Sequence, residues 1–217
     1  MNEFINAFLL IYVGLFPIVN PVGCAPLFLS LTHRCSSAER NVLAGRVAWS
    51  GFFLLLGSLL VGSYILEFFG ITLPAVRIAG GLVVTAFGWK MLHAGNDPEG
   101  QSAGTPQIEA PVYAFYPLTM PITVGPGSIS VAITFGSQRP ALEAGFAHFI
   151  LMGVAAIAGL TAIAATIYVC YRFAGRIGAA LGKHGTEVLM RLSAFILLCI
   201  GVQIVWNGYS ALIVAAR

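Results

Sequence analysis

The sequence predicts an all-α membrane protein: six transmembrane helices arranged as two inverted three-helix repeats, the first helix of each repeat broken at prolines. Three observations carry this. Hydrophobic residues make up 58% of the chain and charged residues 9%, with a mean hydropathy of +0.89, outside the range of ordinary soluble domains. Uncharged runs long enough to cross a hydrocarbon core recur along the chain. One proline pattern occurs twice, at a constant spacing.

The segments follow in order. The first runs from Phe4 to Thr32 and the second from Val47 to Leu66. The third, Thr72 to Leu92, places Pro74 in its first turn and Arg77 close enough to one end for the guanidinium to reach the interface. The fourth is Ala110 to Gln138, the fifth Ala144 to Tyr171 and the sixth Leu192 to Ala216. Six helices with short connections leave no room for a soluble domain, so residues 1–217 form one membrane domain. Its parts are a first repeat over 1–94, a linker over 95–109 and a second repeat over 110–217. The first segment lacks the basic flank and small-residue site of a cleavable signal.

Charge sets the expected orientation. Arg34, Arg40 and Arg46 fall in loop one, and Arg172, Arg176, Lys183 and Arg191 in loop five, which places both loops in the cytoplasm. The acidic linker with Asp97, Glu99 and Glu109 falls on the same side, and both termini face outward. The net charge of +3 reflects this topology rather than a nucleic-acid surface. Cys24, Cys170 and Cys199 lie in apolar runs and Cys35 in a loop, with no disulfide framework or paired-cysteine metal motif.

The repeat is Phe16-Pro17-Ile18-Val19-Asn20-Pro21 against Tyr116-Pro117-Leu118-Thr119-Met120-Pro121, and the register continues to Pro26 and Pro126, then to Ser30 and Ser130. Arg77-Ile78-Ala79 before the third helix echoes Arg191-Leu192-Ser193 before the sixth. An odd number of helices per half makes the second copy enter from the opposite side, an architecture suited to alternating access.

Each proline segment is 29 uncharged residues long, and an unbroken helix of that length would reach about 43 Å across a core of roughly 30 Å. Pro17, Pro21 and Pro26, and equally Pro117, Pro121 and Pro126, should therefore break or kink these helices. Backbone opened at membrane depth is tolerated only against protein, water or ligand. Helices restarting after Asn20-Pro21 and Gly125-Pro126 aim free amides at a cavity, where a carboxylate can dock. The expected substrate groups are Asn20, Pro21 and Gly23 at the first break, with Asn20 able to cap the restart. At the second they are Thr119, Thr123, Gly125, Pro126, Gly127 and Ser128. Such hydroxyl- and glycine-rich breaks suit a small zwitterion. Against this stands the plainer view that prolines kink many helices for packing alone.

These elements resemble the MarC-like integral membrane proteins. The aromatic-Pro and Asn-Pro-x-Gly element stands as Phe16-Pro17-Ile18-Val19-Asn20-Pro21-Val22-Gly23. The mid-chain element stands as Pro117-Leu118-Thr119-Met120-Pro121, followed by Gly125-Pro126-Gly127-Ser128, and Arg77-Ile78-Ala79-Gly80-Gly81 opens the third helix. The resemblance implies a six-helix protein of the bacterial cytoplasmic (inner) membrane. It also implies a transporter of small neutral amino acids such as glycine or alanine, as some relatives are described.

Ionisable groups near the bilayer are costly and invite a functional reading. Glu67, Arg77, Glu143 and His148 are the candidates, of which Arg77, His148 and Glu143 are kept for coupling. His148 alone among them changes charge near neutral pH. Proton coupling, sodium coupling and facilitated diffusion all stay open, as does a homo-oligomer. No resident cofactor or metal is expected, since His33 with Cys35 falls short of a closed site.

Two other classes compete with a transporter. A channel or passive scaffold would use Gly45, Gly57, Gly153, Gly159, Gly175, Gly201 and Gly208 only for close helix packing. An intramembrane serine hydrolase would pair Ser128 with His148. The sequence carries no nucleotide-binding motif to drive a pump, and the reading adopted is a transporter rather than an enzyme.

Overall fold

The computed structural model describes residues 2–93, 114–137 and 146–215, and these are all helical apart from short turns. The linker over 95–109 and Glu143 lie outside the described residues. The elements in chain order are α1 (Asn2–Val19), α2 (Pro21–Leu31), α3 (Ser37–Phe68), α4 (Leu73–His93), α5 (Ala114–Thr123), α6 (Pro126–Ser137), α7 (Phe146–Arg172) and α8 (Ala174–Ala215). Four helices are long and apolar enough to cross a membrane, and the number rises to six where each of the bent pairs α1–α2 and α5–α6 counts as one span. The bends are 41° and 71°.

Helix ends follow local chemistry. Ser36 and Glu39 form a reciprocal capping box that starts α3, satisfying two otherwise orphaned amides. Gly70 ends it with a φ of 66°, where the Gly70 N–H reaches Glu67 O and the Ile71 N–H reaches Leu66 O. α3 therefore begins ten residues before the expected Val47, and Arg40 and Arg46 lie on its first turns rather than in a loop. α8 likewise begins before Leu192 and is interrupted at Gly182, whose φ of 64° and ψ of −178° suit glycine alone. Its membrane-crossing part is His184–Val214, so Arg191 lies within it. Basic first turns can extend a span because long side chains carry their charge back to water.

Packing obeys the internal repeat. The main contacts are α1 with α7 and α5 with α3, α2 with α8 and α6 with α4, and α2 with α7 and α6 with α3. Exchanging the halves turns each of these pairs into the other, while α4–α8 and α3–α7 map onto themselves. The α4–α8 interface is the most extensive, and glycines make it close. An added Cβ at Gly81 would lie 2.7 Å from Val205 N, at Gly88 2.8 Å from Leu198 N, at Gly201 2.5 Å from Thr85 N and at Gly208 2.9 Å from Pro74 O. Small residues at helix crossings replace the hydrophobic drive that lipid removes. Gly57 and Gly153, by contrast, meet nothing within 4 Å among the described residues.

Candidate functional site

The two breaks differ although their sequences repeat. In the first, Pro17 stays inside α1 and Pro26 inside α2, and the chain breaks at one residue, Asn20, with φ 45° and ψ 56°. Asparagine tolerates that left-handed geometry. Its Oδ1 accepts the Gly23 N–H at 3.1 Å, capping the restart, and Pro21 takes the first helical position, where no amide is needed. In the second, Met120 stands where Asn20 stands and cannot cap. The helix restarts only at Pro126. Between lies α5, a wide turn in which Tyr116 (φ −123°, ψ 125°) and Met120 (φ −114°, ψ 122°) are extended, as residues before proline prefer. Both following peptide bonds, Tyr116–Pro117 and Met120–Pro121, are cis. The repeated prolines thus give restarts at non-equivalent members of the triplet.

Hydroxyls repair the opened backbone of α5. Thr119 Oγ1 donates to Ala114 O and Thr123 Oγ1 to Leu118 O, each at 2.6 Å. Both side chains are buried. The phenol of Tyr171 on α7, wholly buried, lies 2.7 Å from Thr123 Oγ1. Because the Thr123 proton already serves Leu118, Tyr171 is the donor. Its ring stacks on Phe28 of α2, with centroids 4.3 Å apart. One tyrosine therefore touches both broken helices.

The breaks meet at a cleft of about 60 Å³, room for several waters at roughly 10–15 Å³ each. From the first break come Ile18 and Cys24, and from the second come Pro121 to Thr123 and Gly125 to Ser128. Val83, Val84 and Phe87 of α4 and Leu197 of α8 form the apolar walls. The Cys24 thiol faces Val19 O at 3.8 Å and Ile122 O at 3.7 Å. The latter carbonyl lost its helical partner because Pro126 has no N–H. The amides of Gly127 and Ser128 precede the first bond of α6, from Ile129 N–H to Gly125 O at 3.1 Å, and so supply the positive end of that helix. Gly127 has no room to grow, since a Cβ there would collide with Val84.

Of the expected substrate groups, Thr123, Gly125, Pro126, Gly127 and Ser128 line this cleft. Asn20, Pro21 and Gly23 do not line it: Asn20 and Pro21 form the start of α2, and Gly23 packs against Ser193 of α8, while Thr119 is enclosed in α5. Cys24, Ile18 and the α4 and α8 walls were absent from the sequence-based set, and no linear signal marks them. The candidate coupling groups lie elsewhere. Arg77 Nε donates to Thr134 Oγ1 at 3.3 Å. His148, in the first turn of α7, lies 3.4 Å from the Glu3 carboxylate at the start of α1. Ser128 Oγ donates to Gly125 O at 2.9 Å, so neither member of the supposed Ser–His pair is directed at the other. Among the described residues no three His, Cys, Asp or Glu side chains gather as a metal site.

The family described as MarC family integral membrane protein matches residues 5–213. The chain is 36% identical over 215 residues to the "UPF0056 inner membrane protein MarC" of Salmonella typhimurium, covering 96% of each. Its identity to the protein of that name from Escherichia coli O6:H1 is 36% over 202 residues, 90% of each. No solved structure matches.

Proposed function

This chain belongs to the MarC family of integral membrane proteins, and from that membership and its cleft we propose a secondary transporter that moves a small neutral solute by alternating access. The observation that supports it is the meeting of both broken helices in one cleft at the interface between inverted halves, the place where such folds bind their cargo. A carboxylate would dock on the Gly127 and Ser128 amides, an ammonium on carbonyls such as that of Ile122, and a short apolar side chain against Val84, Phe87 and Leu197. The size and lining of the cleft suit glycine or alanine and disfavour bulky or charged side chains.

Among the described residues, no ionisable side chain other than the Cys24 thiol lines the cleft. That favours sodium held by carbonyl oxygens, or uncoupled movement, over a proton carried at the site itself. We place the protein in the bacterial cytoplasmic membrane, with both termini outside and the arginine-rich helix ends inside. The name of the relatives and the charge distribution support this.

The test is uptake of labelled glycine and alanine into proteoliposomes, with and without imposed sodium and proton gradients. Gly127→Ala pushes a methyl onto Val84 and should abolish saturable uptake while the protein still folds. Trans-stimulated exchange in the wild type is expected. Its absence for both solutes under every gradient would remove the carrier reading in favour of a pore or a scaffold.

A further inference from the structure

We propose that the arginine-rich end of the bundle holds the phosphate of an anionic phospholipid between Arg172, Arg176 and Arg40. This does not depend on the transport reading. Arg172 ends α7 and Arg176 lies in the first turn of α8, with helical bonds continuing between them: Phe173 N–H to Val169 O at 3.0 Å and Ile177 N–H to Phe173 O at 2.9 Å. Tyr168, Arg172 and Arg176 therefore share one helix face at four-residue spacing. Arg172 Nη1 donates to the Tyr168 hydroxyl at 2.6 Å. Its guanidinium lies 5.6 Å from the Tyr168 ring centre and 6.0 Å from that of Phe173, and Arg176 lies 5.3 Å from Phe173. Two guanidiniums are thus held on aromatic faces at the membrane boundary, both exposed.

Arg40 arrives from α3. Its Nε and Nη2 donate to the hydroxyl and carbonyl of Thr32, at 3.2 and 3.1 Å, and Nη2 also reaches Cys35 O at 3.3 Å. These bonds fix the fork, and Nη1 sits 3.9 Å from where a Cβ on Gly175 would lie. Among the described residues the ion pairs are His148 with Glu3 and Arg191 with Glu187, so none of these three cations is paired with an acid there, while Arg172 and Arg176 share the Phe173 ring and Arg40 reaches the backbone between them at Gly175. Glu39, the nearest acid in sequence to Arg40, spends its carboxylate on the Ser36 N–H at 2.7 Å. Clustered like charges repel, and a phosphate relieves that repulsion through forked bonds. Beside them Val169, half exposed, and Phe173 present an apolar strip. Forked donors above an apolar strip match a lipid headgroup with its acyl chain better than a free phosphate.

The experiment is native mass spectrometry of the purified full chain, titrated with phosphatidylglycerol, with phosphatidylcholine and with soluble glycerol phosphate. Selective retention of phosphatidylglycerol is expected, weakening about five-fold for each arginine replaced in Arg172→Gln and Arg176→Gln. Arg172→Lys with Arg176→Lys keeps the charge and loses the fork, so it should weaken retention, though less than the glutamine pair, and Arg191→Gln should change nothing. Equal retention of phosphatidylcholine by the wild type overturns the proposal without any variant, as does unchanged binding in a folded double glutamine variant. Glycerol phosphate binding as tightly as the lipid would assign the site to a soluble anion and overturn it too.

Discussion

Replacing Thr123 by valine keeps the shape of the side chain and removes one oxygen that serves two partners. Thr123 Oγ1 donates to Leu118 O at 2.6 Å and accepts from the buried Tyr171 phenol at 2.7 Å. In Thr123→Val the carbonyl loses its donor and the phenol its acceptor, and each unmet buried group costs about 1–3 kcal/mol. Pairs inside membranes are measured lower, at about 0.6 kcal/mol on average, because the membrane-bound unfolded state also finds partners. Between these limits, Thr123→Val should cost about 2 kcal/mol. Tyr171→Phe removes the other end of the same bond and leaves no orphan: Thr123 still donates to Leu118, and the ring still stacks on Phe28 at 4.3 Å. Its cost should be about 0.5–1 kcal/mol. The double variant should then be more stable than Thr123→Val alone by roughly 1 kcal/mol, since the phenol left without an acceptor is gone.

Reversible unfolding in mixed micelles with increasing sodium dodecyl sulfate, followed by the fluorescence of the three tryptophans and by helical circular dichroism, measures all four proteins. Additive costs, or a larger cost for Tyr171→Phe than for Thr123→Val, would refute the donor assignment and with it the argument that the tyrosine ties the second break to α2.

Two further outcomes follow from the packing, read in the same unfolding assay. Asn20→Ala loses both the cap and the tolerance of positive φ and should cost about 2 kcal/mol, most of it recovered in Asn20→Gly; equal losses would show that backbone geometry is not what Asn20 supplies. A Cβ at Gly136 would collide with the Leu59 carbonyl of α3, whereas one at Gly57 meets nothing. Gly136→Ala should therefore part α3 from α6 and abolish a cooperative transition, while Gly57→Ala should gain about 0.5–1 kcal/mol of helix propensity.

Much of the fold was legible because lipid is an unforgiving solvent. The long apolar runs announced the membrane-spanning helices, since a charged residue at the bilayer centre is too costly to appear there by default. The duplicated proline triplets announced the inverted halves, and Asn20 before Pro21 announced a capped restart, because proline and asparagine act through their own backbone. Helix ends were less legible. α3 and α8 begin well before their uncharged runs, as arginines such as Arg40 and Arg46 can occupy a helical turn and still place their charge in water.

The site was decided by tertiary structure. Thr119 and Thr123 read as free hydroxyls in sequence and are instead spent on carbonyls opened by α5. Cys24 and Leu197 face the same cleft from distant segments. Tyr171 lies 48 residues from the hydroxyl it serves. Hydropathy and proline spacing report what each residue asks of its solvent and of its own backbone. Which side chains then meet depends on how the inverted halves pack against each other, and only that packing turns two broken helices into one cleft.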